Sequence, residues 1–165
     1  MNDSVLSDVH SHQAVILVGS NIEPQQNIPA ALSLLKVRTR LVKLSSIWIT
    51  PSVGSPGPDF QNVAALIEIS MDAAALKQKV LREIERELGR TWSDEKNAPR
   101  SVDLDIILFD GVVMDPDVWR QAHVALPVSE LCPELLHPEN RIPLITVAAE
   151  LRLKSAAVRH AGIRY

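Results

Sequence analysis

Apolar residues recur along this chain with two periods, one suited to strands and one to helices. Residues 14–18 are an unbroken apolar run closed by Gly19, Ser20 and Asn21, which predicts a buried strand entering a turn. Asn27 then reads as a helix cap, with Pro29 in the first turn and Leu32 and Leu35 on the inner face. Residues 42–50 are rich in β-branched and aromatic side chains and stop at Pro51, which predicts a second strand. Gly54, Pro56, Gly57 and Pro58 make residues 52–59 a loop. From 61 to 69 the pattern alternates, with Val63, Ala65, Ile67 and Ile69 on one face of a third strand, antiparallel to the one before it. Residues 72–88 carry the clearest helix: Leu76, Val80, Ile84 and Leu88 recur every fourth position, Leu81 lies beside them, and Gly89 is placed to stop it. A polar stretch, 90–99, leads into a fourth strand.

The order β-α-β-β-α-β is the ferredoxin-like split unit. It predicts an α+β fold, an αβα sandwich on a mainly antiparallel sheet, with additional C-terminal elements. Short helices are expected near 129–131 and 144–151. Residues 1–13 are polar and aperiodic and read as a disordered leader. Residues 14–152 form the single expected domain, and 153–165 a C-terminal tail whose order the pattern does not fix.

The fourth strand holds the most informative chemistry. Asp103 and Asp105 are two apart, so in a strand they project side by side, while Val102, Leu104, Ile106 and Leu108 point the other way. Two adjacent carboxylates repel unless a cation or a set of donors lies between them. Mg²⁺ is commonly held by one or two carboxylates together with phosphate oxygens and water, and Arg100 just upstream is placed to meet a phosphate. A solvated strand rim, or a pair of partners for nearby Lys and Arg, is the plainer reading of the same motif.

Composition narrows the setting. A chain of 165 residues that is 46% hydrophobic and 22% charged has room for one proper core. A net charge of −3 argues against nucleic acid as the partner but leaves open a local basic site for a small anion. The lone Cys132 makes no intrachain disulfide, which points to the cytoplasm. No apolar run approaches membrane-spanning length, so no membrane partner is expected.

Taken together, several segments resemble the pyrophosphokinases of folate biosynthesis, which act on 6-hydroxymethyl-7,8-dihydropterin. The matching residues are Val18-Gly19-Ser20-Asn21, Thr50-Pro51-Ser52-Val53-Gly54, Phe60-Gln61-Asn62, Glu85 through Gly89-Arg90, and Pro99-Arg100-Ser101-Val102-Asp103-Leu104-Asp105. They keep the family's order and nearly its spacing from about residue 14 to 109, with a weaker return at 126–134. The resemblance implies transfer of pyrophosphate from ATP to the pterin, giving the pterin diphosphate and AMP. It implies two Mg²⁺ ions held by Asp103 and Asp105, with Arg100 at the phosphates and counted with the pair as catalytic. Glu85, Arg90, Arg100 and Ile106 then fall to the ATP side, and Gly19, Thr50, Pro51, Val53, Phe60, Asn62 and His123 to the pterin side.

Several of these residues have plainer readings. Glu85 suits a solvated helix face, Arg90 a helix C-terminal cation, Phe60 core filling and Gly19 a simple turn. An amide at Asn62 offers both an acceptor and donors, which suits a heterocycle carrying an amino group and a carbonyl. The implied partners are the two small-molecule substrates, and the implied state is a monomer or weak homodimer.

The chain departs from the family after the Asp strand. Residues 110–126 are short and lack the usual Pro-His segment. His123 stands where a stacking aromatic is usual, and Arg120 or Gln121 near the usual arginine. Arg82 replaces a common glutamine. Trp92 stands where a basic residue of the mobile loop can sit, to stack on adenine or to cover the core. A paralogue that binds a pterin without efficient ATP turnover is therefore the alternative. A sugar-nucleotide transferase using the same Asp-x-Asp motif is disfavoured by the chain's small size.

Overall fold

The computed structural model describes residues 11–52, 54, 56–89 and 101–160. The expected positions Val53, Arg90, Trp92 and Arg100 lie outside these residues, as does most of the expected leader. Strand β1 (His12–Ser20) is buried without interruption from Ala14 to Ser20, as a central strand covered on both faces must be. Helix α1 (Pro24–Arg38) buries Ile28, Ala31, Leu32 and Leu35, the spacing of one helical face. It starts earlier than the sequence predicts. Pro24 sits at the favoured first position after Glu23 in a left-handed conformation (φ 41°), so Asn27 lies inside the helix and its amide donates to Ile22 O at 2.7 Å.

The expected second strand is two strands, β2 (Arg40–Leu44) and β3 (Ile47–Thr50), both paired with β4 (Phe60–Ile69). Ser45 stays bound to β4 at the break, its hydroxyl accepting the Ala64 N–H at 2.8 Å, whereas the Ser46 N–H turns away to Glu130 Oε2 at 2.8 Å. Helix α2 consists of α-helical Ala73–Leu76 and Arg82–Glu87 joined by a π turn, Lys77–Leu81. Asp72 caps it by accepting from Ala75 N at 2.8 Å, and Gly89 ends it at φ 80°.

Strand β5 (Asp103–Phe109) turns through Asp110 and Gly111, both at positive φ, into β6 (Val112–Val113). A 3₁₀ turn, Pro116–Trp119, leads to α3 (Ala122–Leu131), which absorbs the helix expected at 129–131. After α4 (Leu144–Leu153), the tail supplies β7 (Val158–His160) against β3.

The sheet order is β6-β5-β1-β4-β3-β7, with β2 also on β4, and every pairing is antiparallel. One core fills the space beneath α1 and α2, around Ile16, Val18, Ala65, Ile67 and Leu104. A second lies beneath α3 and α4, around Leu17, Trp48, Ala64 and Ile107. This is the expected αβα sandwich on a ferredoxin-like unit. The boundary expected after residue 13 falls inside β1.

Candidate active site

Residues directly opposite one another in a sheet share a face. Asp103 of β5 stands opposite Gly19 of β1, Gly19 opposite Asn62 of β4, and Asn62 opposite Trp48 of β3. Asp105 stands opposite Leu17, and Phe60 opposite Thr50. The period of two then places Asp103, Asp105, Gly19, Asn62, Phe60, Thr50 and Trp48 on one face at one end of the sheet, the face that α3 and α4 cover. Ile106 points the other way and packs against the core under α1 and α2. Asp103 and Asn62 are separated only by β1, about 10 Å at two interstrand spacings.

At one end of this row, Asn62 is 3% exposed and donates to Thr50 Oγ1 at 3.3 Å. Gly19 is more than a turn residue. A Cβ there would lie 2.7 Å from Asn62 Oδ1, closer than any real contact. The missing side chain is the space that the Asn62 carboxamide occupies. Phe60 is half-buried beside this pair, and Pro51 is exposed. The hydroxyl of Ser20, next along β1, shares its one proton between Ile22 O, at 2.9 Å, and Ser101 O, tying the end of β1 to the start of the Asp strand.

At the other end, α2 reaches over the open edge of β5. The Glu85 carboxylate is fully buried, and its Oε1 accepts the Leu104 N–H at 2.8 Å. Glu85 is therefore no solvated helix charge; it holds the backbone between the two aspartates. Lys77 Nζ donates to Leu104 O at 2.8 Å and to Asp105 Oδ1 at 2.9 Å. Sequence reasoning missed Lys77, because ordinary helical periodicity does not foretell the π turn on which it sits.

Asp103 and Asp105 supply hard oxygen donors on one face, and the Lys77 ammonium on Asp105 shows that this carboxylate accepts a cation. Among the described residues no cluster of three or more His, Cys, Asp or Glu could hold a metal. A two-carboxylate set fits Mg²⁺ that draws its remaining ligands from phosphate and water.

His123, half-buried in the first turn of α3, has its imidazole pKa pushed below 6.5 by burial, against the opposing pull of Asp117 and Asp115. Arg120 and Gln121, just before α3, are exposed. Glu130, also unforeseen, accepts from Trp48 Nε1 at 2.9 Å as well as from Ser46, and so fixes the β3 end of the row. Trp48 and Ser46 lie more than eighty positions away from it, so no local signal marks these contacts.

Comparison with known proteins converges on one family. Residues 15–133 match the model of the 7,8-dihydro-6-hydroxymethylpterin-pyrophosphokinases. The 2-amino-4-hydroxy-6-hydroxymethyldihydropteridine pyrophosphokinase of Pseudomonas aeruginosa is 34% identical over 138 residues, covering 76% of this chain and 84% of that protein. The enzyme of the same description from Helicobacter pylori is 32% identical over 122 residues, 71% of each chain. The folic acid synthesis protein of Schizosaccharomyces pombe is 33% identical over 143 residues, 79% of this chain but only 19% of that protein. Among solved structures, a variant of the Plasmodium falciparum HPPK-DHPS protein superposes with a TM-score of 0.71 at 9% identity, over 91% of this chain and 47% of that one. At that identity the likeness speaks for the fold.

Proposed function

We propose, on the premise that this chain belongs to the 7,8-dihydro-6-hydroxymethylpterin-pyrophosphokinase family, that the row Asp103–Gly19–Asn62 is the floor of its two-substrate active site. The chain is an ATP-dependent diphosphotransferase of folate synthesis, passing pyrophosphate from ATP to hydroxymethyldihydropterin. The pterin hydroxymethyl oxygen bonds to the β-phosphorus of ATP and gives up its proton to water, the bond from the β-phosphorus to the α,β-bridging oxygen breaks, and AMP leaves with that oxygen.

In this reading Asn62, held by Thr50, presents acceptor and donors to the polar edge of the pterin, and Phe60 offers a stacking face. Pro51, Val53 and His123 complete the proposed wall. The hydroxymethyl group then points along the row, over Gly19, toward the aspartates. Asp103 and Asp105 would hold the Mg²⁺ ions. Bound there, Mg²⁺ would neutralise phosphate charge and polarise the phosphorus under attack. Arg100 and Arg90 are proposed to meet phosphate charge; Ile106, its side chain turned to the core under α1 and α2, would border the nucleotide only through its backbone. Glu85, buried against Leu104, is assigned to positioning the strand and not to touching ATP. Catalysis of this kind rests on alignment and charge neutralisation more than on a strong protein base.

We place the chain in the cytoplasm, as one catalytic domain that works as a monomer or weak homodimer on small molecules. Among the described residues no helix is long and apolar enough to cross a membrane.

The observation that carries the reading is the register itself, which puts a buried amide and two carboxylates on one face with a single glycine between them. The test is to supply ATP, Mg²⁺ and 6-hydroxymethyl-7,8-dihydropterin and to measure AMP. Wild-type protein is expected to release AMP only when the pterin is present. The Asp103→Ala, Asp105→Ala double variant should lose about 10³-fold or more in rate, the scale of a lost transition-state charge partner. Full activity in that variant would refute the assignment. Pterin binding by the wild type with no AMP released would favour the alternative of a pterin binder without turnover.

A further inference from the structure

Lys77 is tied to Asp105 and the backbone beside it by geometry that the reaction does not require. Its ammonium is fixed at two points, Leu104 O at 2.8 Å and Asp105 Oδ1 at 2.9 Å. It comes from the first residue of the π turn, so a local irregularity of α2 delivers it to the strand. The pair is not sealed: the Lys77 side chain is 30% exposed and that of Asp105 is 47% exposed. A cation arriving at Asp105 therefore meets a unit positive charge already held 2.9 Å from one of its oxygens.

We propose that Lys77 is a resident counter-cation of Asp105 that weakens the site for a free divalent cation, so that metal is held well only together with nucleotide phosphate. This rests on the reading of Asp103 and Asp105 as the metal-binding pair. Without nucleotide, a divalent ion must displace the ammonium or share a carboxylate with it, and like charges at such range shift an equilibrium by roughly tenfold or more. With nucleotide, the phosphate charges outweigh the single ammonium and supply further ligands, so the penalty shrinks. A side-chain amine is well suited to the task because it moves on a flexible stem, and its charge partners Asp105 while no metal is bound.

The experiment is a Mn²⁺ titration followed by electron paramagnetic resonance. It uses the full chain as wild type, Lys77→Met, Lys77→Arg and Asp105→Asn. Each is titrated alone and with α,β-methylene-ATP, in which carbon replaces the bridging oxygen whose bond would break. Lys77→Met should bind Mn²⁺ about tenfold more tightly than wild type without nucleotide, and within about threefold of it with the analogue. Lys77→Arg keeps the charge and should behave as wild type, which separates charge from any general disturbance of α2. Equal or weaker Mn²⁺ binding by Lys77→Met, with Asp105→Asn still abolishing analogue-dependent binding, would overturn this inference and leave the metal pair standing. Undiminished analogue-dependent Mn²⁺ binding by Asp105→Asn would overturn both.

Discussion

Replacing Gly19 with Ala tests the proposed row at its narrowest point. The added Cβ would lie 2.7 Å from Asn62 Oδ1. Asn62 is 3% exposed and bonded to Thr50 Oγ1 at 3.3 Å, so it has little freedom to withdraw. Overpacking of this kind costs about 1–3 kcal/mol, and losing the bond to Thr50 adds about 1 kcal/mol. A total of about 2–4 kcal/mol corresponds to a fall in Tm of roughly 4–16 °C for a domain of this size. The same displacement moves the amide proposed to read the pterin. The KM for pterin should therefore rise about tenfold or more, while the KM for ATP stays within about twofold. A double-mutant cycle by thermal unfolding makes the reasoning strict. In an Asn62→Ala background the clashing oxygen is gone, so Gly19→Ala should then cost less than about 0.5 kcal/mol, a coupling of at least 1.5 kcal/mol. Additive costs, or an unchanged pterin KM in Gly19→Ala, would refute the claim that glycine is there to make room for Asn62.

Glu85→Ala leaves the buried Leu104 N–H without its acceptor and opens space inside the core, so it should destabilise by about 2–4 kcal/mol in chemical denaturation. A loss below about 0.5 kcal/mol would remove Glu85 from the support of β5. His123 governs a second, pH-dependent term. Its folded-state pKa lies below the unfolded value of 6.5, so its contribution is complete above that pH and is lost as pH falls and the buried ring must take up a proton. Stability measured from pH 7.5 down to 5 should decline less steeply in His123→Gln than in wild type, and parallel curves would contradict the assignment.

The period of two made the Asp pair legible, because Asp103 and Asp105 share a face in any strand. The Gly19–Asn62 contact was only half visible. Both residues stood out singly, but their pairing is a matter of register across 43 positions of chain. The split between β2 and β3 was hidden for the same reason, since Glu130, which draws off the Ser46 N–H, comes from a helix far along the sequence. Lys77 was illegible because helical periodicity assigns a direction from a regular 3.6-residue repeat, and the π turn departs from that repeat. The β5–β6 hairpin was available and overlooked: Asp110-Gly111 between apolar residues is a strong turn signal.

Among the described residues, the edge of β5 beside the aspartates is closed by side chains and not by another strand. Glu85 and Lys77 take up the N–H and C=O of Leu104, while β6 pairs only with Leu108 and Phe109. A neighbouring strand would have walled the carboxylates in; two side chains satisfy the backbone with a few atoms and leave the approach open. An unprotected edge is a template for a second chain, the usual route to sheet-by-sheet association. On the proposed site, protection of this edge and access for substrate would thus depend on the same pair of side chains. Loss of either would bare a backbone group of Leu104 at the mouth of the proposed active site, where a second chain and substrate would compete for one doorway.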